Sequence, residues 1–191
     1  IINGEREWSD TESYKESEIR RIAIKAFNLA MKRQKKLTLV AKSNILKSSV
    51  LWREVVDEVR VTYPEVAYDY MHVDNASMQL ILNPKQFDVI LTSNMFGDIL
   101  SDEASVLSGS IGLFPSASLG DSSFGLYEPI HGSAPSIAGK NIANPISAIL
   151  CISQMMRYTF EADKIAEDIE HSVNTVLENG YRTKDLFIES D

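Results

Sequence analysis

Along this chain apolar residues switch repeatedly between helical spacing and short continuous runs, an alternation that points to the α/β fold class. Ile19, Ile22, Ala23, Ala26, Phe27, Ala30 and Met31 recur at helical intervals and line one face, with Ser17 as the expected N-cap. A short strand is expected over Leu37 to Val40, then a second amphipathic helix through Leu51, Trp52, Val55, Val56 and Val59 that stops near Tyr63-Pro64. Val66 to Val73 reads as a strand, Asn75 to Leu82 as a helix, Asp88 to Thr92 as a compact apolar strand and Met95 to Leu107 as a helix. Helices resume behind Asn144-Pro145, an N-cap followed by proline at the first helical position. A last one runs from Asp163 to Leu177 and closes at Asn179-Gly180.

The stretch from Gly109 to Pro145 differs in kind, because Gly, Ser and Pro crowd it and no periodicity survives. Loop-heavy segments of that length inside a compact protein are more often functional than idle. The break divides the chain into an expected lobe over residues 1–108 and a second over 109–191. With 44% hydrophobic residues in 191, one core or two small lobes are within reach. A net charge of −8 argues against a nucleic-acid or anionic-membrane partner, and no apolar run approaches a membrane span. The single cysteine, Cys151, cannot form an internal disulfide, so a reducing, cytoplasmic setting is expected. The chain opens without methionine and closes on the polar tail Glu189-Ser190-Asp191, and both ends look cut from something longer.

Four constellations could carry chemistry. Asp98 and Asp102 lie four apart on an expected helix, so their carboxylates share a face that a hard divalent cation would suit; acidic decoration of a helix start is the plainer alternative. Asp74, at the end of an expected strand, could complete an oxygen-ligand set or simply N-cap the next helix. Neighbouring His72 has no partner histidine at zinc spacing. Lys42 follows a strand directly, at the sheet edge where α/β active sites gather, although most lysines in such turns are surface charges. Tyr14 offers a phenol as a possible general acid, but more tyrosines pack than catalyse. In Glu128-Pro-Ile-His-Gly-Ser-Ala-Pro135 the backbone N–H groups near Gly132 could receive phosphate oxygens, without a Gly-x-Gly-x-x-Gly fingerprint.

Two long ungapped segments, DNASMQLILNPKQFDVILTSNMFGDILSDEASVLSGSIGLFPSASLG and GLYEPIHGSAPSIAGKNIANP, resemble the β-decarboxylating dehydrogenases, the family of isopropylmalate, isocitrate and tartrate/D-malate dehydrogenases. They look most like its isopropylmalate branch. The resemblance covers nearly the whole chain and implies part of that family's two-lobed sheet fold, with residues 1–108 in the catalytic and dimerisation lobe and 109–191 in the nucleotide-binding lobe. It implies a homodimer with active sites shared between subunits, a 2-hydroxy dicarboxylate substrate, NAD, and Mg²⁺ or Mn²⁺. By the same resemblance Asp98 and Asp102 hold the metal, with Asp74 reaching metal and substrate from the partner subunit. Lys42, also donated across the dimer, and Tyr14 are the implied catalytic residues, and Asn44 lies near the nicotinamide. Glu128 and His131 flank the implied adenosine-binding loop, which runs through Gly132, Ser133, Ala134, Pro135, Ser136, Ile137, Ala138, Gly139, Lys140, Asn141, Ile142, Ala143 and Asn144.

Three departures qualify that expectation. Ala41 stands where the family commonly has an acidic residue before the lysine. Ser136 replaces the aspartate that NAD-linked members use to hold the adenosine ribose, so a weaker preference for NAD over NADP is expected. The arginines that clamp the substrate carboxylates and the helix that selects its side group match nothing in this chain, so the chain alone is expected not to turn over. A tartrate, D-malate or isocitrate dehydrogenase, a truncated dimerising product and a metal-dependent hydrolase stand as the alternatives.

Overall fold

The computed structural model describes residues 5–107 and 109–187; the polar tail Glu189-Ser190-Asp191 lies outside the described residues. The chain divides into two compact units, Ile1–Leu100 and Ser101–Asp191. The first holds a three-stranded parallel sheet in the order β2-β1-β3, built from β1 (Lys36–Ala41), β2 (Ala67–His72) and β3 (Val89–Thr92). Central β1 is buried from Leu37 to Ala41, as expected of a parallel strand covered on both faces.

Two helices connect to this sheet through their apolar faces. Helix α1 (Glu16–Met31) buries Ile19, Ala23, Ala26, Phe27 and Ala30, and α2 (Lys47–Arg60) buries Trp52, Val55, Val56 and Val59. With Leu37, Leu39, Val89 and Leu91 these residues form the core. Helix α1 starts one turn's edge earlier than Ser17 would set it: Lys15 is the N-cap, and the Glu18 carboxylate accepts its backbone N–H at 2.9 Å. Helix α3 (Val73–Leu82) begins immediately after β2, which shortens the expected strand by one residue. Helix α4 (Asn94–Val106) follows β3, and the division between the units falls within it.

In the second unit the Gly/Ser/Pro stretch contains an antiparallel pair that periodicity did not reveal, β4 (Pro115–Leu119) with β5 (Gly125–Pro129). Helix α5 (Ile146–Tyr158) packs on both strands and on α6 (Asp163–Glu178). Asn144 performs the expected capping chemistry, its Oδ1 accepting the Ile146 N–H at 3.0 Å, but the helix starts one residue later than expected, at Ile146 rather than Pro145. Gly180 (φ 86°) closes α6 in the left-handed conformation, its N–H donating to Leu177 at 3.0 Å.

Candidate active site and nucleotide cleft

Parallel strands aim the residues that follow them at one sheet edge, and Lys42 and Asp74 meet there. The Lys42 side chain is 25% exposed, and its Nζ lies 2.5 Å from Asp74 Oδ1. The lysine's backbone is fixed on both sides: its N–H donates to the buried Ser49 hydroxyl at 3.1 Å, and its carbonyl accepts from Ile45 and Leu46 at 3.0 and 2.9 Å. Asn44 stands exposed in the same turn. Asp74 is neither a strand end nor an N-cap; His72 takes the cap position, and Asp74 sits in the first turn of α3, where the helix dipole favours a carboxylate. The hydrogen bond from Lys42 holds the Asp74 carboxyl below the usual carboxylate range.

Tyr14 belongs to a different grouping. Half-buried just before α1, it stands edge-on to Trp52 with ring centroids 5.3 Å apart, and its hydroxyl accepts the Asn94 N–H at 3.1 Å. The phenol is thereby tied to the first residue of α4. One turn further along that helix Asp98 and then Asp102 follow, four residues apart and both exposed. At the end of β3 the Thr92 Oγ1 and Ser93 Oγ atoms are buried without a hydrogen-bond partner.

Among the described residues no three His, Cys, Asp or Glu side chains gather as a metal group within one chain. Asp98 and Asp102 therefore supply at most part of a ligand set. Two carboxylates at helical spacing still suit Mg²⁺ or Mn²⁺, which takes oxygen ligands and completes its shell with water and substrate; zinc prefers nitrogen and sulfur.

The second unit contains a cleft of about 1240 Å³. Its wall includes His131, Gly132, Ser133, Ala134, Ile137, Ala138, Gly139, Asn141, Ile142, Ala143 and Asn144, most of the loop expected to bind adenosine, and Asp102 borders it. Glu128 on β5, Pro135, Ser136 and Lys140 are exposed and do not line it. The loop holds Ala134 (φ 42°) and Asn141 (φ 55°) in left-handed conformations, strain of the kind that functional loops tolerate.

Ser110, Lys184 and Asp185 also line the cleft and escaped the sequence reading. The Ser110 hydroxyl donates to Asp185 Oδ2 and accepts the Gly112 N–H at 3.0 Å, and Asn144 Nδ2 donates to the same Asp185 oxygen at 3.0 Å. Burial pushes the Asp185 carboxyl up, but the hydrogen bonds from Ser110 and Asn144 help to outweigh that and hold it low. Only the short Thr183-Lys-Asp sequence beyond the Gly180 stop could have pointed to this contact.

The sequence model of the family described as isocitrate/isopropylmalate dehydrogenase matches residues 1–191. The chain belongs to that family. Among its relatives, 3-isopropylmalate dehydrogenase of Xanthomonas axonopodis pv. citri is 59% identical over 189 residues, which cover 99% of this chain and 53% of the relative. The enzyme of the same name from Pseudomonas fluorescens is 60% identical over 187 residues, 98% of this chain and 52% of its own. Among solved structures, isocitrate dehydrogenase from Methylococcus capsulatus superposes with a TM-score of 0.87 at 40% identity, covering 94% of this chain and 53% of that one. The apo β-decarboxylating dehydrogenase of Thermococcus kodakarensis gives 0.86 at 38%, covering 100% and 55%. The isocitrate/isopropylmalate dehydrogenase fold is thus present in part: the chain spans about half the length of the relatives it matches.

Proposed function

We propose that the full-length protein carrying this chain oxidises and decarboxylates 3-isopropylmalate to 2-oxoisocaproate with NAD⁺, a step of leucine biosynthesis, as a cytoplasmic homodimer with residues 1–108 in its catalytic lobe and 109–191 in its nucleotide lobe. The observation that carries this reading is the split arrangement of the site. Lys42 is paired with Asp74, Tyr14 is tied to the start of the helix bearing Asp98 and Asp102, and among the described residues no complete metal group forms within one chain. A second copy supplying Lys42 and Asp74 completes the set. Helix α3 leaves Met78, Ile81 and Leu82 exposed, an apolar face that such a copy would cover.

When bound, NAD⁺ supplies the hydride acceptor and a divalent cation held by Asp98, Asp102 and the partner subunit's Asp74 supplies positive charge beside the substrate's hydroxyl and carboxylate oxygens. Lys42 Nζ receives the hydroxyl proton as hydride leaves the same carbon. The bond between the neighbouring carbon and its own carboxylate, now β to the new carbonyl, then breaks, CO₂ departs, and the electron pair forms the enolate of that carbonyl. Tyr14 Oη delivers a proton to the carbon left behind. Asn44, in the lysine's turn, faces the nicotinamide; Glu128 and the loop from His131 to Asn144 hold the adenosine. Ser136 can bond a ribose hydroxyl but carries no charge to repel a 2′-phosphate, so discrimination against NADP is weak.

The names of the relatives, at 57–60% identity, favour 3-isopropylmalate over the isocitrate of the solved neighbour at 40%. In the full-length protein, Asp98→Ala should abolish Mn²⁺-dependent NADH formation, by on the order of 10³-fold or more through loss of a metal ligand. Wild-type turnover in that variant would show the metal lies elsewhere.

A further inference from the structure

Beside the Lys42–Asp74 pair stands a second polar cluster that the proposed reaction does not use. Tyr70, half-buried on β2, places its hydroxyl 2.7 Å from Ser43 Oγ, 3.3 Å from the Ser43 backbone N and 3.0 Å from His72 Nδ1. A phenol has one proton to give and two lone pairs to fill, so three partners saturate it. If His72 Nδ1 accepts, both Ser43 groups donate to the phenol oxygen; if Nδ1 carries the proton, Tyr70 donates to Ser43 Oγ instead. Either way all three contacts persist. The ring is held as well: the Arg53 guanidinium of α2 lies 4.5 Å above it, and the His72 ring meets it edge-on at 5.3 Å.

We propose that Tyr70 is a positioning residue for Lys42, latching the turn that carries Lys42 and Asn44 onto β2, the strand that leads into Asp74. Ser43 is the residue after the lysine, and its N–H belongs to the same peptide as the Lys42 carbonyl. With Ser49 on the lysine's N–H and Ile45 and Leu46 on its carbonyl, Tyr70 completes the restraint of the backbone from which the side chain is launched. The strand then delivers His72 to the N-cap of α3 and Asp74 to its first turn, so both members of the ion pair are referenced to one frame. Proton transfer tolerates little misplacement, and holding the acceptor in position costs no reorganisation during the reaction.

This inference rests on the proposed role of Lys42. The test uses the full-length protein with Mn²⁺, NAD⁺ and 3-isopropylmalate. Tyr70→Phe should lower kcat roughly ten-fold, because the latch holds the reacting lysine, while leaving the KM for NAD⁺ within about two-fold, because the loop proposed to hold the adenosine is untouched. Ser43→Ala, which keeps the backbone contact, should lower kcat less, and the two changes should not add. In a Lys42→Ala background Tyr70→Phe should leave the residual rate unchanged. A wild-type kcat in Tyr70→Phe overturns the proposal, and so does an undiminished loss in the Lys42→Ala background, which would mark a general structural role. Amide exchange at Ser43 gives a readout independent of turnover: it should speed up about ten-fold in Tyr70→Phe. If the wild-type protein does not oxidise the substrate, the proposed reaction fails, and unchanged exchange at Ser43 would then overturn the latch as well.

Discussion

A methyl group is enough to disturb the cleft of the second unit. A Cβ on Gly112 would lie 2.9 Å from Asn144 Cβ, closer than two carbons can stand, and Asn144 at once caps α5 and donates to Asp185. Gly112→Ala should therefore cost about 1–3 kcal/mol in a thermal melt. An unchanged melting temperature would mean the cap is free to move. Asp185 gives a prediction with a definite sign. Its carboxyl is held below its unfolded value, so the unfolded chain takes up protons first as the solution is acidified. The stability it contributes is complete above the ordinary carboxylate range, about pH 4, and drains away as pH falls from there through the lower folded value. Melting temperatures followed into acid should drop more steeply for the wild type than for Asp185→Asn; parallel curves would refute that. At the proposed ribose position, Ser136→Asp should lower the KM for NAD⁺, and no change would mean the loop lies elsewhere.

Helices were legible where their apolar faces are regular, and strands where an apolar run meets a parallel neighbour. β1 was found because burial on both faces leaves a continuous signal, and β3, buried only at Val89 and Leu91, because its residues form a compact apolar run. β4 and β5 were not, since Pro115–Leu119 and Gly125–Pro129 owe their strand state to pairing with each other, a long-range contact no local window reveals. The start of α3 was misplaced because an Asp after a strand fits both an N-cap and a first helical turn; backbone angles, not composition, decide between them. Asp98, Asp102 and Lys42 were visible as candidates, but spacing could not say that Asp74 pairs with Lys42. The Asp88 carboxylate, 1% exposed, was read only as the beginning of a strand. It accepts Arg33 Nε at 2.7 Å and the Gln34 N–H at 2.9 Å, tying the turn ahead of β1 to the start of β3. Asp88→Ala should lose about 2 kcal/mol of stability by denaturant titration, and a loss under 0.5 would place that turn outside the cooperative core.

In the whole molecule, the proposed site is assembled from two copies. Lys42→Ala and Asp98→Ala homodimers should each be inactive, yet unfolding and refolding them together should restore roughly a quarter of wild-type activity, because half the dimers are mixed and each mixed dimer keeps one intact site. Silence after mixing, with dimers formed, would place all catalytic groups in one subunit. The most direct measurement is NADH formation by the full-length protein with Mn²⁺ and NAD⁺, compared across 3-isopropylmalate, isocitrate, tartrate and malate. The proposed reaction predicts the fastest turnover with 3-isopropylmalate, with CO₂ released mole for mole and no rate once the metal is chelated. A faster rate with any of the other three, or metal-independent turnover, would contradict it.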